Sequence, residues 1–370
     1  MERNQACAKI SEALCAYFAT TPAFCEPYGN GHINDTFLVV RGERYILQRM
    51  NHVVFPHPDE VMENILGVSE HFRKKALARG GDVARASLVV VPTRKGEPFF
   101  CDSIGSYWRL YEFCERTVTR EVIENPQDFY TCAEAFGHFQ RDLADYPAER
   151  LHETIVDFHN TPKRYEKLLA AIQNDVCGRA SEVADEIAFA TARAEFAHTL
   201  ERAHAAGELP LRVTHNDTKL NNILFDEETG APVCVIDLDT VMPGYSVTDF
   251  GDSIRFGANT AVEDETDLSR VSLDLSLFEL YAKGFLKGCG GRLTEREIDM
   301  LPEGAIMMTL ECGVRFLTDY LEGDVYFRTH RPKHNLDRCR NQFSLVADME
   351  KKLPEMRRII SVLAEESKNR

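Results

Sequence analysis

Hydrophobic and polar positions change their period once along this chain, near residue 125. From residue 24 to about 113 the pattern is β-rich. The stretch "YGNGHINDTFLVV" reads as a glycine-interrupted turn followed by an alternating strand, and "ERYILQRM" predicts a second strand. "RASLVVVPT", "PFFCD" and "YWRLYEFC" predict three more, separated by glycines and charges. One helix interrupts them over 59–79, with Val61, Ile65, Val68 and Phe72 on one face and the prolines of "FPHPDE" suiting its start. Ahead of the strands, Ile10, Leu14 and Phe18 recur at helical spacing and predict an amphipathic helix.

Beyond residue 125 the spacing predicts helices over 126–146, 162–173, 180–206, 273–288, 294–321 and 335–366. A single β-like island interrupts them, "VTHNDTKLNNILFD" followed by "APVCVIDLD". Repeats and low-complexity linkers are absent from the sequence. The expected organisation is a small β-rich lobe over 1–112 and a larger helical lobe over 113–370, joined by a hinge near 111–115.

Composition narrows the function. The chain has 370 residues, 44% hydrophobic, with a formal net charge of −16. Such a surface repels phosphate backbones and anionic lipid heads, which argues against nucleic-acid and membrane partners. Eleven cysteines without a C-x-x-C argue against a disulfide framework or structural zinc and for a reducing, cytoplasmic location. Neither a signal-peptide core nor a bilayer-length apolar run is seen in the sequence.

The island carries the chemistry. Residues 213–226 hold His215, Asp217, Lys219, Asn221 and Asn222 between two short apolar strands, a composition suited to a rigid loop whose side chains act. The strand "APVCVID" then ends in Asp237. An acid and an amide on one loop, with a second acid at a strand end, are the groups phosphoryl transfer from ATP requires. One carboxylate orients the attacking hydroxyl, while the amide oxygen and the other carboxylate hold Mg²⁺. A lysine two residues beyond the base can meet charge developing on the phosphoryl group.

H-x-D-x-K-x-x-N followed by a strand ending I-D resembles the catalytic loop and metal-binding strand of the protein-kinase-like superfamily. The form "HND" resembles its small-molecule branch, the aminoglycoside phosphotransferase-type kinases. Within that branch, "EPYGNGHINDTFLV", "RYILQRMN", "WRLYEFCE", "VIDLDTVMPG", "DFGDSIRFGA" and "ECGVRFLTDYLEGDVYF" are similar to the bacterial N-acetylhexosamine 1-kinases. The resemblance implies an α+β, protein-kinase-like two-lobe fold, with the catalytic loop over 213–226 and the metal strand over 231–239. It implies Asp217 as base, Lys219 as a phosphate contact, Asn222 and Asp237 as Mg²⁺ ligands, and His215 as a brace. Gly29 and Gly31 would cover the ATP phosphates, although "GNG" serves any tight hairpin. Tyr111, Glu112 and Phe113 would offer backbone hydrogen bonds to adenine.

Two departures from the kinase pattern stand out. Gln48 occupies the place of the lysine that contacts the α- and β-phosphates, so it is expected to act as a neutral donor. The helical glutamate that would pair with that lysine, Glu60 or Glu63, then lacks its partner, and Arg49 points to the opposite strand face. The letters "DFG" at 249–251 match the kinase metal motif but lie too far from Asp217, so Asp249 is expected to anchor the catalytic loop. Asp239 is left open between an exposed acid, a group behind the metal and a metal contact.

For the acceptor, His32 either reaches the cleft or sits in a solvated turn. Arg315 either pairs with Glu311 one turn back or presents its fork to sugar hydroxyls. Tyr326 either stacks on a sugar or covers the core. The expected activity is transfer of phosphate from Mg-ATP to the anomeric hydroxyl of an N-acetylhexosamine. The rivals are a kinase of the same fold acting on homoserine, an aminoglycoside or another sugar, and a nucleotide-binding protein without turnover. A protein kinase is disfavoured because no A-P-E segment follows Asp237.

Overall fold

The computed structural model describes residues 3–20, 24–29, 33–120, 123 and 125–368. Helix α1 (Arg3–Tyr17) leads into β1 (Phe24–Pro27), β2 (Asp35–Arg41) and β3 (Glu43–Met50). Helix α2 (Pro58–Ala78) follows, then β4 (Val90–Val91), β5 (Phe100–Cys101) and β6 (Tyr107–Glu112). The strands form one antiparallel sheet in the order β1-β2-β3-β6-β4, with β5 also on β6. "RASLVVVPT" and "PFFCD" thus yield strands of two residues each. The second stops because Asp102 turns the chain, its carboxylate accepting the amides of Ile104 and Ser106 and the indole N–H of Trp108.

Register decides what each sheet face carries. Leu47 lies opposite Leu110 and Gln48 opposite Arg109, and successive side chains point to opposite faces. Val39, Leu47, Trp108 and Leu110 therefore pack together against Ala13, Leu14, Tyr17 and Phe18. The Tyr17 hydroxyl fixes this layer by donating to the Trp108 carbonyl at 2.7 Å. Thr36, Gln48, Arg109 and Tyr111 share the other face.

The architecture is α+β, with the small antiparallel sheet and helices α1 and α2 in one compact unit and most of the helices in the other. The sheet unit takes residues up to Thr119, Glu149–Val156 and Leu224–Met242; the helical unit takes Arg120–Ala148, Asp157–Ile223 and the chain from Pro243 onward. Helices Pro126–Asp142, Thr161–Asn174 and Leu275–Cys289 begin within two residues and end within four of the predicted ones. The predicted helix 294–321 is two helices, Glu295–Asp299 and Leu301–Glu322, because Pro302 starts a new first turn. The predicted helix 180–206 is also broken, into Ala184–Thr191, Thr199–Ala205 and single turns around them. At that break the Arg193 guanidinium donates to the Phe189 carbonyl at 2.9 Å.

Helix Ser246–Gly257 lies against Leu301–Glu322 with backbones nearly touching. A Cβ on Gly251 would sit 2.3 Å from the Gly304 carbonyl oxygen, so only glycine allows this approach. Among the described residues no helix is long and apolar enough to cross a membrane.

Candidate active site

Within the helical unit, the strand Arg212–Thr214 enters the acidic loop and a single 3-10 turn, Leu220–Asn222, leaves it. The loop is pinned from below by Asp249, in the first turn of helix Ser246–Gly257 and 1% exposed. Its carboxylate accepts the amides of His215 at 2.9 Å and Asn216 at 2.8 Å, together with the Gln140 side-chain amide at 2.9 Å. Burial pushes the Asp249 carboxyl above its ordinary value, against these N–H groups that favour the anion. The geometry is that of an anchor. His215 is fully buried against Phe136 and Phe139, with ring centroids 5.4 and 5.7 Å away, and its Nδ1 accepts the Asp217 amide at 3.3 Å.

Above this base the loop carries its polar group. Asn216 adopts left-handed backbone, φ 63°, a conformation a non-glycine residue holds only when its surroundings enforce it. Asn222 Nδ2 donates to the Asp217 carbonyl at 2.9 Å and to Asp217 Oδ2 at 3.1 Å, while Lys219 Nζ pairs with Oδ1 at 2.6 Å. Burial alone would lower the Lys219 ammonium, but the Asp217 charge raises it, so the lysine stays cationic. With its nitrogen engaged, the Asn222 amide keeps Oδ1 as an acceptor suited to a hard cation.

Sequence reasoning missed a histidine here. His159 Nε2 lies 3.2 Å from the Asn216 carbonyl oxygen, and its Nδ1 lies 2.9 Å from Glu311 Oε1. Glu311 is 1% exposed, and its other oxygen accepts the Thr161 hydroxyl at 2.7 Å. The pair is far apart in sequence and "DFHNT" carries no motif that points to it.

In the sheet unit, the predicted metal strand ends earlier than expected. Strand Pro232–Val235 stops two residues before Asp237, which is exposed and left-handed at φ 58°. That left-handed backbone cannot continue a strand. A carboxylate oxygen is a donor type that suits Mg²⁺, which binds one or two protein oxygens plus phosphate and water. Asp239 is 2% exposed, so its place as an exposed acid is excluded.

Asp239 instead joins a buried network around Gln48. Arg109, 1% exposed, donates from Nη1 and Nη2 to the Asp239 carboxylate at 2.5 and 2.9 Å. Nε and Nη2 of the same guanidinium donate to Gln48 Oε1 at 2.9 and 2.8 Å, and Gln48 Nε2 donates to Thr36 at 3.1 Å. Asn34 completes the Asp239 shell at 2.7 Å. Gln48 therefore orients an arginine from the neighbouring strand, which corrects its expected use as a free neutral donor. The signal was present as a lone arginine in "YWRLYE". Arg49 turns to the other face, as expected, and donates to Asp35 at 2.7 Å. Glu63 on α2 meets His152 Nε2 at 2.7 Å instead of a strand lysine.

At the hinge, two of the backbone donors are already engaged. The Glu112 amide already donates to Val89 at 2.9 Å and the Phe113 amide to Arg44 at 3.1 Å. These two N–H groups are closed to adenine, and Tyr111 is buried with the Arg109 guanidinium 5.2 Å above its ring. Gly29 takes φ 74° in its turn. Gly31 and His32 lie outside the described residues.

Arg315 does not pair with Glu311, whose two oxygens are taken by His159 and Thr161. Its guanidinium carbon instead stands 5.6, 5.8 and 5.4 Å from the ring centres of Phe158, Tyr326 and Phe327. The turn bearing Tyr326 is fixed by Asp319, whose carboxylate accepts the amides of Val325, Tyr326 and Phe327. Tyr326 is 65% exposed, which excludes a role in covering the core.

A strand-rich unit, and a helical unit bearing H-x-D-x-K-x-x-N braced from a helix of the same unit, define a kinase-like phosphotransferase fold. Residues 25–274 match the phosphotransferase enzyme family, and the chain belongs to that family. Solved structures agree in fold. A microcompartment-associated aminopropanol kinase is 18% identical, with 94% of this chain and 98% of that one covered at a TM-score of 0.61. Amicoumacin kinase, solved with AMP-PNP, Ca²⁺ and Ami, is 14% identical, with 95% and 96% covered at 0.56. A choline/ethanolamine kinase family protein from Mesorhizobium loti is 16% identical, with 98% and 99% covered at 0.53.

Proposed function

We propose that this protein is an ATP-dependent N-acetylhexosamine 1-kinase, producing the sugar 1-phosphate and ADP. The observation that carries the phosphotransfer reading is the Asp217 carboxylate, held by Asn222 on one oxygen and Lys219 on the other. Asp217 orients the anomeric hydroxyl and accepts its proton as the oxygen attacks the γ-phosphorus in line. Lys219 stays charged beside it and meets the negative charge that builds on the transferring group. Asn222 and Asp237 would hold Mg²⁺, which when bound neutralises phosphate charge. Arg109 and Gln48 serve the sheet unit by fixing the turn that follows Asp237.

Arg315 supports the sugar reading. Its side chain is half-buried among three rings, and among the described residues it donates no hydrogen bond, so its planar donors remain available for a carbonyl or ring hydroxyls. It lies one helical turn from Glu311, which reaches the catalytic loop through His159. A fixed cation there opposes a polycationic aminoglycoside or a protonated amino alcohol and suits a neutral, acetylated sugar. A second reading, a kinase of a small amino alcohol, draws on the fold shared with the aminopropanol and choline/ethanolamine kinases. One experiment separates the two. The protein is incubated with Mg-ATP and a panel of N-acetylhexosamines, other sugars, amino alcohols and aminoglycosides, and ADP release is followed. Release with N-acetylhexosamines and a C1-phosphate product is expected; release with amino alcohols alone would overturn the sugar reading.

A further inference from the structure

The His159 ring has an acceptor at each nitrogen. Nδ1 faces the Glu311 carboxylate at 2.9 Å and Nε2 faces the Asn216 carbonyl oxygen at 3.2 Å. A backbone carbonyl cannot donate, so Nε2 must carry a hydrogen for that contact to be a bond. Glu311 Oε2 already accepts from Thr161, and the buried carboxyl is held below its ordinary range: burial opposes ionisation, but His159, Arg315 and the Thr161 hydroxyl together outweigh it. Glu311 is therefore an anion, and Nδ1 carries a hydrogen as well.

We infer that His159 is held as an imidazolium that clamps the Asn216 carbonyl, a positioning residue that fixes the aim of the adjacent Asp217. The inference rests on the phosphotransfer reading above. Its physical basis is the strained, left-handed Asn216 peptide, whose amide is bonded to Asp249 on one side while its carbonyl is held by His159 on the other. A charged donor to that carbonyl is stronger than a neutral one. The charged groups acting on the ring come from two helices: Glu311 and Arg315 on Leu301–Glu322, and Asp252 on Ser246–Gly257. The Phe158 ring covers it, with centroids 4.4 Å apart. Burial pulls the ring toward neutrality, but Glu311 and Asp252 outweigh burial and Arg315, raising its value above the ordinary 6.5. A group raised on folding contributes fully below its unfolded value, and its contribution disappears as pH rises through the folded value. The clamp is thus closed below pH 6.5 and released as pH rises through the raised value of the ring.

Two measurements test this on the full chain. Ring ¹⁵N shifts of His159, assigned by their loss in His159→Gln, are followed against pH in wild type and in Glu311→Gln. A doubly protonated ring persisting above pH 6.5 in wild type, and titrating lower in Glu311→Gln, is expected. A wild-type ring that is neutral at pH 6.5 overturns the clamp, and this readout is independent of turnover. The second measurement is kcat against pH with Mg-ATP and whichever acceptor the panel identifies. His159→Gln, which keeps one donor, is expected to lower kcat roughly tenfold with KM for ATP unchanged. It should also lose an alkaline limb present in wild type. A charged ring whose replacement leaves both kcat and the alkaline limb unaltered would overturn the positioning role. Absence of turnover with every acceptor would instead count against the phosphotransfer reading, leaving the ring measurement to decide the clamp.

Discussion

Arg109→Met isolates the role of the buried network behind Gln48. Methionine fills much of the volume of the arginine stem but leaves the Asp239 carboxylate, 2% exposed, with only the Asn34 amide at 2.7 Å among the described residues. Removing one partner of a buried ion pair costs about 3–5 kcal/mol. Gln48 Oε1 also loses both of its donors, at 2.9 and 2.8 Å, which adds about 1 kcal/mol. The expected loss is therefore about 4–6 kcal/mol from the sheet unit. The double variant Arg109→Met/Asp239→Leu should recover most of it, because replacing both charges by apolar groups is often neutral or stabilising. Urea denaturation followed by tryptophan fluorescence reports this unit directly, since Trp108 is the single tryptophan and is adjacent on the same strand. A single variant within about 1 kcal/mol of wild type would refute the reasoning, given the range for a buried pair. So would a double variant no more stable than the single.

The other acids and the acceptor site give contrasting expectations. Asp249→Ala orphans the buried amides of His215 and Asn216, at about 1–3 kcal/mol each, so it should lower the melting temperature and reduce activity through loop disorder. Asp237→Ala should stay folded and lose Mg-dependent turnover; a folded, inactive Asp249→Ala beside an active Asp237→Ala would reverse these assignments. Arg315→Ala should lower sugar kcat/KM roughly ten- to a hundredfold while KM for ATP and melting temperature hold. Unchanged sugar kinetics in a stable Arg315→Ala would remove it from the acceptor site.

Local chemistry made much of this protein legible in its sequence. The helices of 126–142, 161–174 and 275–289 announce themselves by spacing, and the loop of 213–226 by a composition that neither helix nor strand can bury. The Asp249 anchor followed from the same logic, because "DFG" stood too far along the chain to serve the metal. What stayed hidden depends on partners remote in sequence. Arg109 and Asp239 are 130 positions apart, and Glu311 meets His159 across 152. Pattern shows that Arg109 and Glu311 break apolar runs, but only the fold supplies the groups that neutralise them. The two hinge amides that the fold engages were hidden for a related reason: their acceptors, Val89 and Arg44, lie on other segments.

The central claim is that Asp217 is the carboxylate that activates the acceptor hydroxyl. Asp217→Asn preserves shape while removing the proton acceptor and the negative partner of Lys219. Steady-state kcat with Mg-ATP and an N-acetylhexosamine, measured beside nucleotide binding by calorimetry, tests it directly. The account predicts a fall of about 10²–10⁴-fold in kcat with nucleotide affinity largely retained. A variant that binds nucleotide and keeps more than about a tenth of wild-type kcat would contradict it, being far outside the general-base range.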